Sequence, residues 1–424
     1  MMRELRFMLR DKAVWVWLFL AFLFSVLAVT LGMNEISQQR TEIAELKQLD
    51  QVEREVVLSQ QSDWGSAAYY TFHLTYDAPS DFAFAAIGQR DVSPWKHRIR
   101  MLALEGQIYE TDANNPDFAL IGRFDFAFVA TLIAPLLVIL LLFDLRSGEQ
   151  AAGRLRLIEA SAASVRRLWW GRAGLRVGAL ALALCLPLLV GSLLSGAAFT
   201  TLLACMVAVC VYLLFWMALT LWLTRATQTG AYNLTIMLGI WLFVCAFIPA
   251  GLTQVINKSV PLPDGGEIVL TQREAVNDAW DLPKEETYAP FLERHPDWAD
   301  YTGWDSDAFE WKWYYAFQQV GDQTAEPLSV AYREGRQKRD ALAGLVSLIS
   351  PATLMQRKLE RFAHTDMKSA MAYEKEVRNF HARLRSWYYP RMFKSEDFDA
   401  DIANRALPDF RSSTSPGEQN DLSN

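Results

Sequence analysis

The chain has 424 residues, a formal net charge of −7 and an apolar share of 52%. So acidic a chain is not expected to bind nucleic acid. Its apolar residues concentrate in five runs near the roughly 20 residues that cross a bilayer, which points to a membrane protein rather than a soluble one. The four cysteines, Cys185, Cys205, Cys210 and Cys245, all lie in those runs without CxxC or zinc spacing. They read as small packing residues.

Residues 1–12 (MMRELRFMLRDK) form a short basic cytoplasmic segment carrying Arg3, Arg6, Arg10 and Lys12. The first span, 13–33, begins with Trp15 and Trp17, where indole rings favour the interface. It is too long and Phe-rich for a cleaved signal peptide. Beyond it, Ile36, Ile43, Leu46, Val52 and Val56 recur at helical spacing with no Gly or Pro, predicting a helix that continues the span outward. After Asp63-Trp64-Gly65 the chain turns irregular and aromatic, punctuated by Pro79, Gly88 and Pro94, as in a small ordered domain. This first external domain covers 34–122. Over residues 34–121 acidic residues outnumber basic ones fourteen to seven.

The second span, 123–144, holds Pro135 in its middle, which predicts a kink that neighbouring helices can satisfy. Asp125 and Asp144 sit at its two ends. A basic segment follows at 145–176, with Arg146, Arg154, Arg156, Arg166, Arg167, Arg172 and Arg176 against Glu149 and Glu159. Spans three and four, 177–195 and 198–223, are joined by a tight GAA-containing turn, and their recurring Gly and Ala allow close packing. A link at 224–230 leads to span five, 231–253.

Residues 254–411 form a second external domain, and a Ser/Pro/Asn-rich tail at 412–424 is expected to be disordered. Over 254–424, 28 acidic residues oppose 21 basic ones. Trp304, Ala308, Trp311 and Tyr315 fall on one helical face. Residues 365–389 form an amphipathic helix burying Met367, Met371, Val377, Phe380, Leu384 and Trp387. The stretch ALAGLVSLISPATLM, 341–355, is short for a span and is expected to lie as a helix at the membrane surface.

The fold class is therefore an α-helical polytopic membrane protein with five transmembrane helices and two external, mainly α (α+β) insertions. The N-terminus, the 145–176 segment and the link at Arg225 are basic and share one side, which the positive-inside rule makes cytoplasmic. The two acidic domains and the C-terminus then lie in the periplasm of a bacterial inner membrane. No GxxxxGK[ST] phosphate loop, HExxH or GxSxG occurs, and the five histidines are scattered. Charges within the spans are few, which argues against an ion-driven carrier. Neither catalysis nor a bound cofactor or metal is expected in this chain, and the basic segment can also meet anionic lipid.

Residues 115–160, NPDFALIGRFDFAFVATLIAPLLVILLLFDLRSGEQAAGRLRLIEA, resemble the second span and following loop of type-two ATP-binding-cassette (ABC) permeases. The nearest branch carries large external insertions and is distantly similar to permeases of copper-enzyme maturation and gliding motility. The motif residues are Asn115, Pro116, Gly122, Phe124 and Asp125 before the span, then Glu149 and Gly153 in the loop. DWGSAAYYTFHLTYDAPSDFAFAAIGQRDVSPW and SPATLMQRKLERFAHTD with a late LPDF are similar to the branch's two insertions. The resemblance implies a permease bound to a separate ATPase subunit that holds ATP and Mg, paired with a second permease copy or paralogue. Arg146, Gly148, Glu149, Gly153, Arg154, Arg156, Arg166 and Arg167 would form the ATPase-coupling loop. Export or extraction of a substrate is the implied activity. Family members have a sixth span after the second insertion, whereas this sequence passes LPDF at 407–410 into a polar tail. That favours, as the alternative, an ABC-coupled scaffold transmitting motion to a periplasmic partner without carrying cargo.

Overall fold

A computed structural model describes residues 2–110, 123–225, 229–303 and 308–412. Asn115, Pro116, Gly122, Trp304 and the tail from residue 413 lie outside the described residues. A short helix α1 (Met2–Arg10) precedes α2 (Lys12–Ser59), whose start is fixed by Asp11, which accepts a bond from Ala13 N at 3.1 Å. At 48 residues α2 is about 72 Å long, so it crosses the membrane and continues well beyond. The expected outward continuation is present, but its buried face differs from the one the spacing picks out. Ile36 and Ile43 are buried, whereas Leu49, Val52 and Val56 are exposed.

Beyond α2 lie α3 (Trp64–Tyr70), β1 (His73–Tyr76), β2 (Lys96–Ile99) and α4 (Leu104–Tyr109). The strands pair antiparallel, with His73 opposite Ile99 and Tyr76 opposite Lys96. The second span is α5, built from Phe126–Phe128, a π-helical turn at Val129–Ile133 and Ala134–Leu142. The expected kink at Pro135 is absorbed by that turn, which widens the helix just before a residue that lacks an N–H. Span five uses the same device. In α10, Gly230–Leu242 runs into a π turn at Phe243–Phe247, followed by Ile248–Ser259 with Pro249 in its first turn.

Between them lie α6 (Ser147–Ala151), α7 (Leu155–Ala160), α8 (Val165–Ser195) and α9 (Phe199–Leu223). Helix α8 starts well before span three, because Ser164 caps it within the basic segment through Arg167 N at 3.3 Å. Its left-handed C-cap, Gly196 at φ 78°, makes the tight turn into α9. Among the described residues five helices are long and apolar enough to cross a membrane, and the chain is a mostly helical multi-pass membrane protein with a small two-stranded sheet. The small residues of α8 do not all serve close packing. Gly191 abuts Val29 and Phe84, while a side chain at Gly171, Gly174 or Gly178 would meet open space.

The second insertion comprises α11 (Gly265–Asp278), α12 (Lys284–Arg294), α13 (Trp311–Val346), α14 (Pro351–Ala363), α15 (Met367–Phe393) and α16 (Ala400–Ala406). Helix α13 begins at Trp311, so Ala308 precedes it and does not share its face; Tyr315 does, and is buried. In α15, Val377, Phe380 and Leu384 are core, while Met367, Met371 and Trp387 are only half-buried. The 341–355 stretch is not one surface helix. It is split by a turn at residues 347–350 between α13 and α14.

Two apolar clusters organise these elements. One joins the spans to residues 82–87 and to Ala352, Met355, Leu359 and Ala363 of α14. Phe84 wedges in so closely that a Cβ on Gly32 would lie 2.0 Å from its carbonyl oxygen. The other lies outside the membrane and draws on both insertions, from Ile43 and Trp64 to Phe380 and Phe410.

Candidate functional site

The basic segment folds into α6, α7 and the start of α8, braced against the N-terminal helix by ion pairs. Arg172 Nε donates to Glu4 Oε2 at 2.6 Å and its Nη1 to Glu149 Oε1 at 3.1 Å. Glu149 is shared, since Arg154 Nε reaches its Oε2 at 2.9 Å. Arg176 Nη2 donates to Asp11 Oδ2 at 3.2 Å, tying the residue that caps α2 to α8. Arg146 pairs with Glu159 at 2.9 Å and donates to the Arg225 carbonyl at 2.6 Å, joining the segment to the following link. Trp169 Nε1 also donates to Glu159, at 3.2 Å.

These pairings divide the anticipated coupling residues into two groups. Arg146, Glu149 and Arg154 hold the segment together. Arg156, Arg166 and Arg167 are exposed, and among the described residues their side chains find no partner. Beside them stand the exposed apolar side chains of Leu157, Val165 and Trp170. The result is a basic and apolar outer surface, a composition suited to a protein partner with acidic groups around an apolar groove. The two glycines also differ. Gly153 takes φ 70° at the end of α6, a left-handed conformation that favours glycine, whereas Gly148 meets only Asp144 Oδ2 at 3.9 Å.

Behind this surface a cavity of about 570 Å³ opens between α1, α6 and α8, lined by Glu4, Phe7, Asp11, Glu149, Arg172 and Arg176. Five of these residues, Glu4, Phe7, Asp11, Arg172 and Arg176, are not among the anticipated coupling residues. Arg172 and Arg176 are one helical turn apart and so share a face, which the spacing alone shows. Two of their acidic partners, Glu4 and Asp11, lie more than a hundred residues away in the chain, and no local pattern pairs them.

Of the anticipated motif before span two, Phe124 and Asp125 lie at the other end of α5 and do not meet the loop. Asp125 caps α5 through Phe128 N at 2.8 Å and accepts from Ile87 N at 2.8 Å, while Phe124 meets Phe24 and Phe128 edge-on or tilted. Its role is to fasten the first insertion to the membrane helices. A second cavity, of 430 Å³, sits here between the two π turns, lined by Asp125, Thr131, Leu132, Cys245, Pro249 and Glu360. Burial, aided by the nearby Asp125 carboxyl, pushes Glu360 up to about 7. Such π turns recur at functional sites.

Residues 266–412 match a family described as a domain of unknown function (DUF3526). The match covers about a third of the chain, from α11 to the last described residue. No curated protein and no solved structure matches.

Proposed function

We propose that this chain is the non-catalytic membrane subunit of an ABC transporter, coupling ATP hydrolysis on a separate ATPase to export or extraction of a substrate. The observation that carries the reading is the exposed Arg156, Arg166 and Arg167 surface beside Leu157 and Trp170, on a segment rigidly braced to α1 and α8. ATP and Mg would reside on the ATPase. This surface would face the cytoplasm and the large domain the periplasm, following the distribution of basic loops. A second copy or a paralogue would complete the membrane unit. The cavity between the π turns offers a place for an apolar or amphiphilic substrate at the membrane boundary.

A second reading, an ABC-coupled scaffold that acts on a periplasmic partner without carrying cargo, draws support from α2. One unbroken helix runs from the Asp11–Arg176 pair beside the loop to Leu58 in the outer core, so displacement at one end reaches the other. The test is co-purification of the full chain with an ABC ATPase subunit co-expressed from the same genome. Binding that is lost on reversing Arg156, Arg166 and Arg167 supports both readings, and unchanged binding removes the loop from its role. ATPase stimulation by a lipid or peptide would then favour the transporter over the scaffold.

A further inference from the structure

We propose that the hairpin formed by the end of α13 and the start of α14 re-enters the bilayer, its tip immersed in acyl chains of the leaflet facing the large domain. The tip carries Leu345, Leu348 and Ile349, which are 66%, 72% and 67% exposed. Three adjacent aliphatic side chains are unusual on a water-exposed turn. The depth of the tip can be read on two spans independently.

Helix α13 runs back along α10. Arg339 donates to the carbonyls of Val260 and Asn257, and one turn later Ala343 lines a cavity with Thr253 and Ile256. Continuing in that direction brings the turn at 347–350 to the level of Pro249, inside the apolar part of the span. On the other side, α14 descends along α5. Glu360 lies in the cavity with Asp125 at the mouth of the span, and Gln356 is hydrogen-bonded to Thr131 at 3.3 Å. Thr131 is six residues past Asp125, roughly 8–9 Å deeper along the helix. Ala352 and Thr353 then line the cavity with Leu132 and Cys245. Both helices therefore point inward at their shared tip.

The charge pattern agrees. Residues 341–355 hold no charge, and the neck is closed by Arg357, which donates to Asp340 Oδ1 at 2.8 Å. Lys338 and Lys358, both exposed, flank it on the water side of the neck. The buried side of α14 belongs to the cluster of the spans, so its outer side continues the lipid-facing belt. Backbone at this depth is tolerated because both arms are helical and Ser350 caps α14 through Thr353 N at 3.2 Å.

The test places an environment-sensitive fluorophore on Leu348→Cys and, separately, Ile349→Cys in the full chain in lipid nanodiscs. Lys338→Cys serves as the aqueous reference and the unsubstituted chain as the labelling blank. Expected are blue-shifted emission at 348 and 349, strong quenching by spin-labelled acyl chains, and iodide quenching at least about fivefold weaker than at 338. Iodide quenching equal to that at 338 would overturn the proposal. So would protection from both quenchers, which would place the tip against protein, as in contact with a second copy.

Discussion

The two sides of the membrane region use the same chemistry, arginine against carboxylate, to opposite ends. In the large domain Glu105 accepts both Nε and Nη2 of Arg378 at 2.9 Å, and Ser329 Oγ at 2.7 Å. Beside it Asp322 accepts the backbone N–H of Leu104 and Glu105 and pairs with Arg385 at 2.7 Å. These groups are largely desolvated, and they join the first insertion to α13 and α15. On the loop side the Arg172–Glu4 pair is as shielded, at 12% and 14% side-chain exposure, but other pairs are more open. Arg154 retains 63% side-chain exposure against Glu149, and three further arginines are exposed with no partner among the described residues. The first network is spent on cohesion, whereas the second braces a surface and keeps part of its charge for something else.

The largest effect that separates them is expected at Glu105. Glu105→Ala leaves Arg378 and Arg333 without their carboxylate in a buried setting, and should cost about 3–5 kcal/mol. Chemical unfolding of the full chain in detergent measures it, and a loss below about 1 kcal/mol would make the outer network no more cohesive than the loop.

Acid should act on the same side. Burial lowers His73 to about 3 and His97 to about 4, and holds His381 well below the ordinary histidine range. A folded pKa below the unfolded 6.5 means that unfolding takes up protons. The stability these groups contribute is therefore complete above pH 6.5 and is lost as pH falls from 6.5 toward 4. Each costs up to about 1.4 kcal/mol per pH unit. Glu360, raised to about 7, works the other way, since it binds its proton more tightly when folded and gains stability as pH falls from 7 to 4.5. For these four groups together the expected loss is up to about 2–3 kcal/mol per pH unit between 6.5 and 4.5. No histidine lies in residues 123–253, so hydrogen exchange at pH 5.5 should loosen the large domain while leaving α6, α7 and α8 unchanged. Equal loosening on both sides would break the contrast.

A smaller effect is expected at Gly153. Gly153→Ala forces a Cβ into φ 70° and should cost about 1 kcal/mol, seen as faster exchange across α6 and α7. Gly148→Ala, with only an ordinary contact nearby, should leave exchange unchanged.

The same contrast explains what could be read from the residues in order. Five spans, the long continuation of α2 and an α-rich outer region follow from run length and helical spacing. The face that α2 buries did not, because Val52 and Val56 repeat at the right spacing but meet no neighbour. The split of 341–355 at Ser350-Pro351 was visible as an interruption, yet only the contacts of Gln356 and Ala352 reveal which way the two arms point. In the loop, charge counting found the arginines and could not sort them. Arg172 and Arg176 brace through Glu4 and Asp11, far away in the chain, while Arg146 and Arg154 take the nearby Glu159 and Glu149, and nothing in the residue order says which arginines those carboxylates choose.

That sorting leads to the smallest effect on stability and the sharpest functional test. Reversing Arg156, Arg166 and Arg167 to Glu removes no ion pair seen in the structure, so unfolding should change by less than about 0.5 kcal/mol. Arg172→Gln, by contrast, frees Glu4 and leaves Glu149 to Arg154 alone, and should lower stability measurably. If the outer surface docks an ATPase, the triple reversal abolishes co-purification while the fold persists. Arg172→Gln then weakens docking only as far as it loosens α6. If the triple reversal destabilises the chain as much as Arg172→Gln does, the three arginines are bracing after all, and the division drawn between the two networks fails at the point where function was assigned to it.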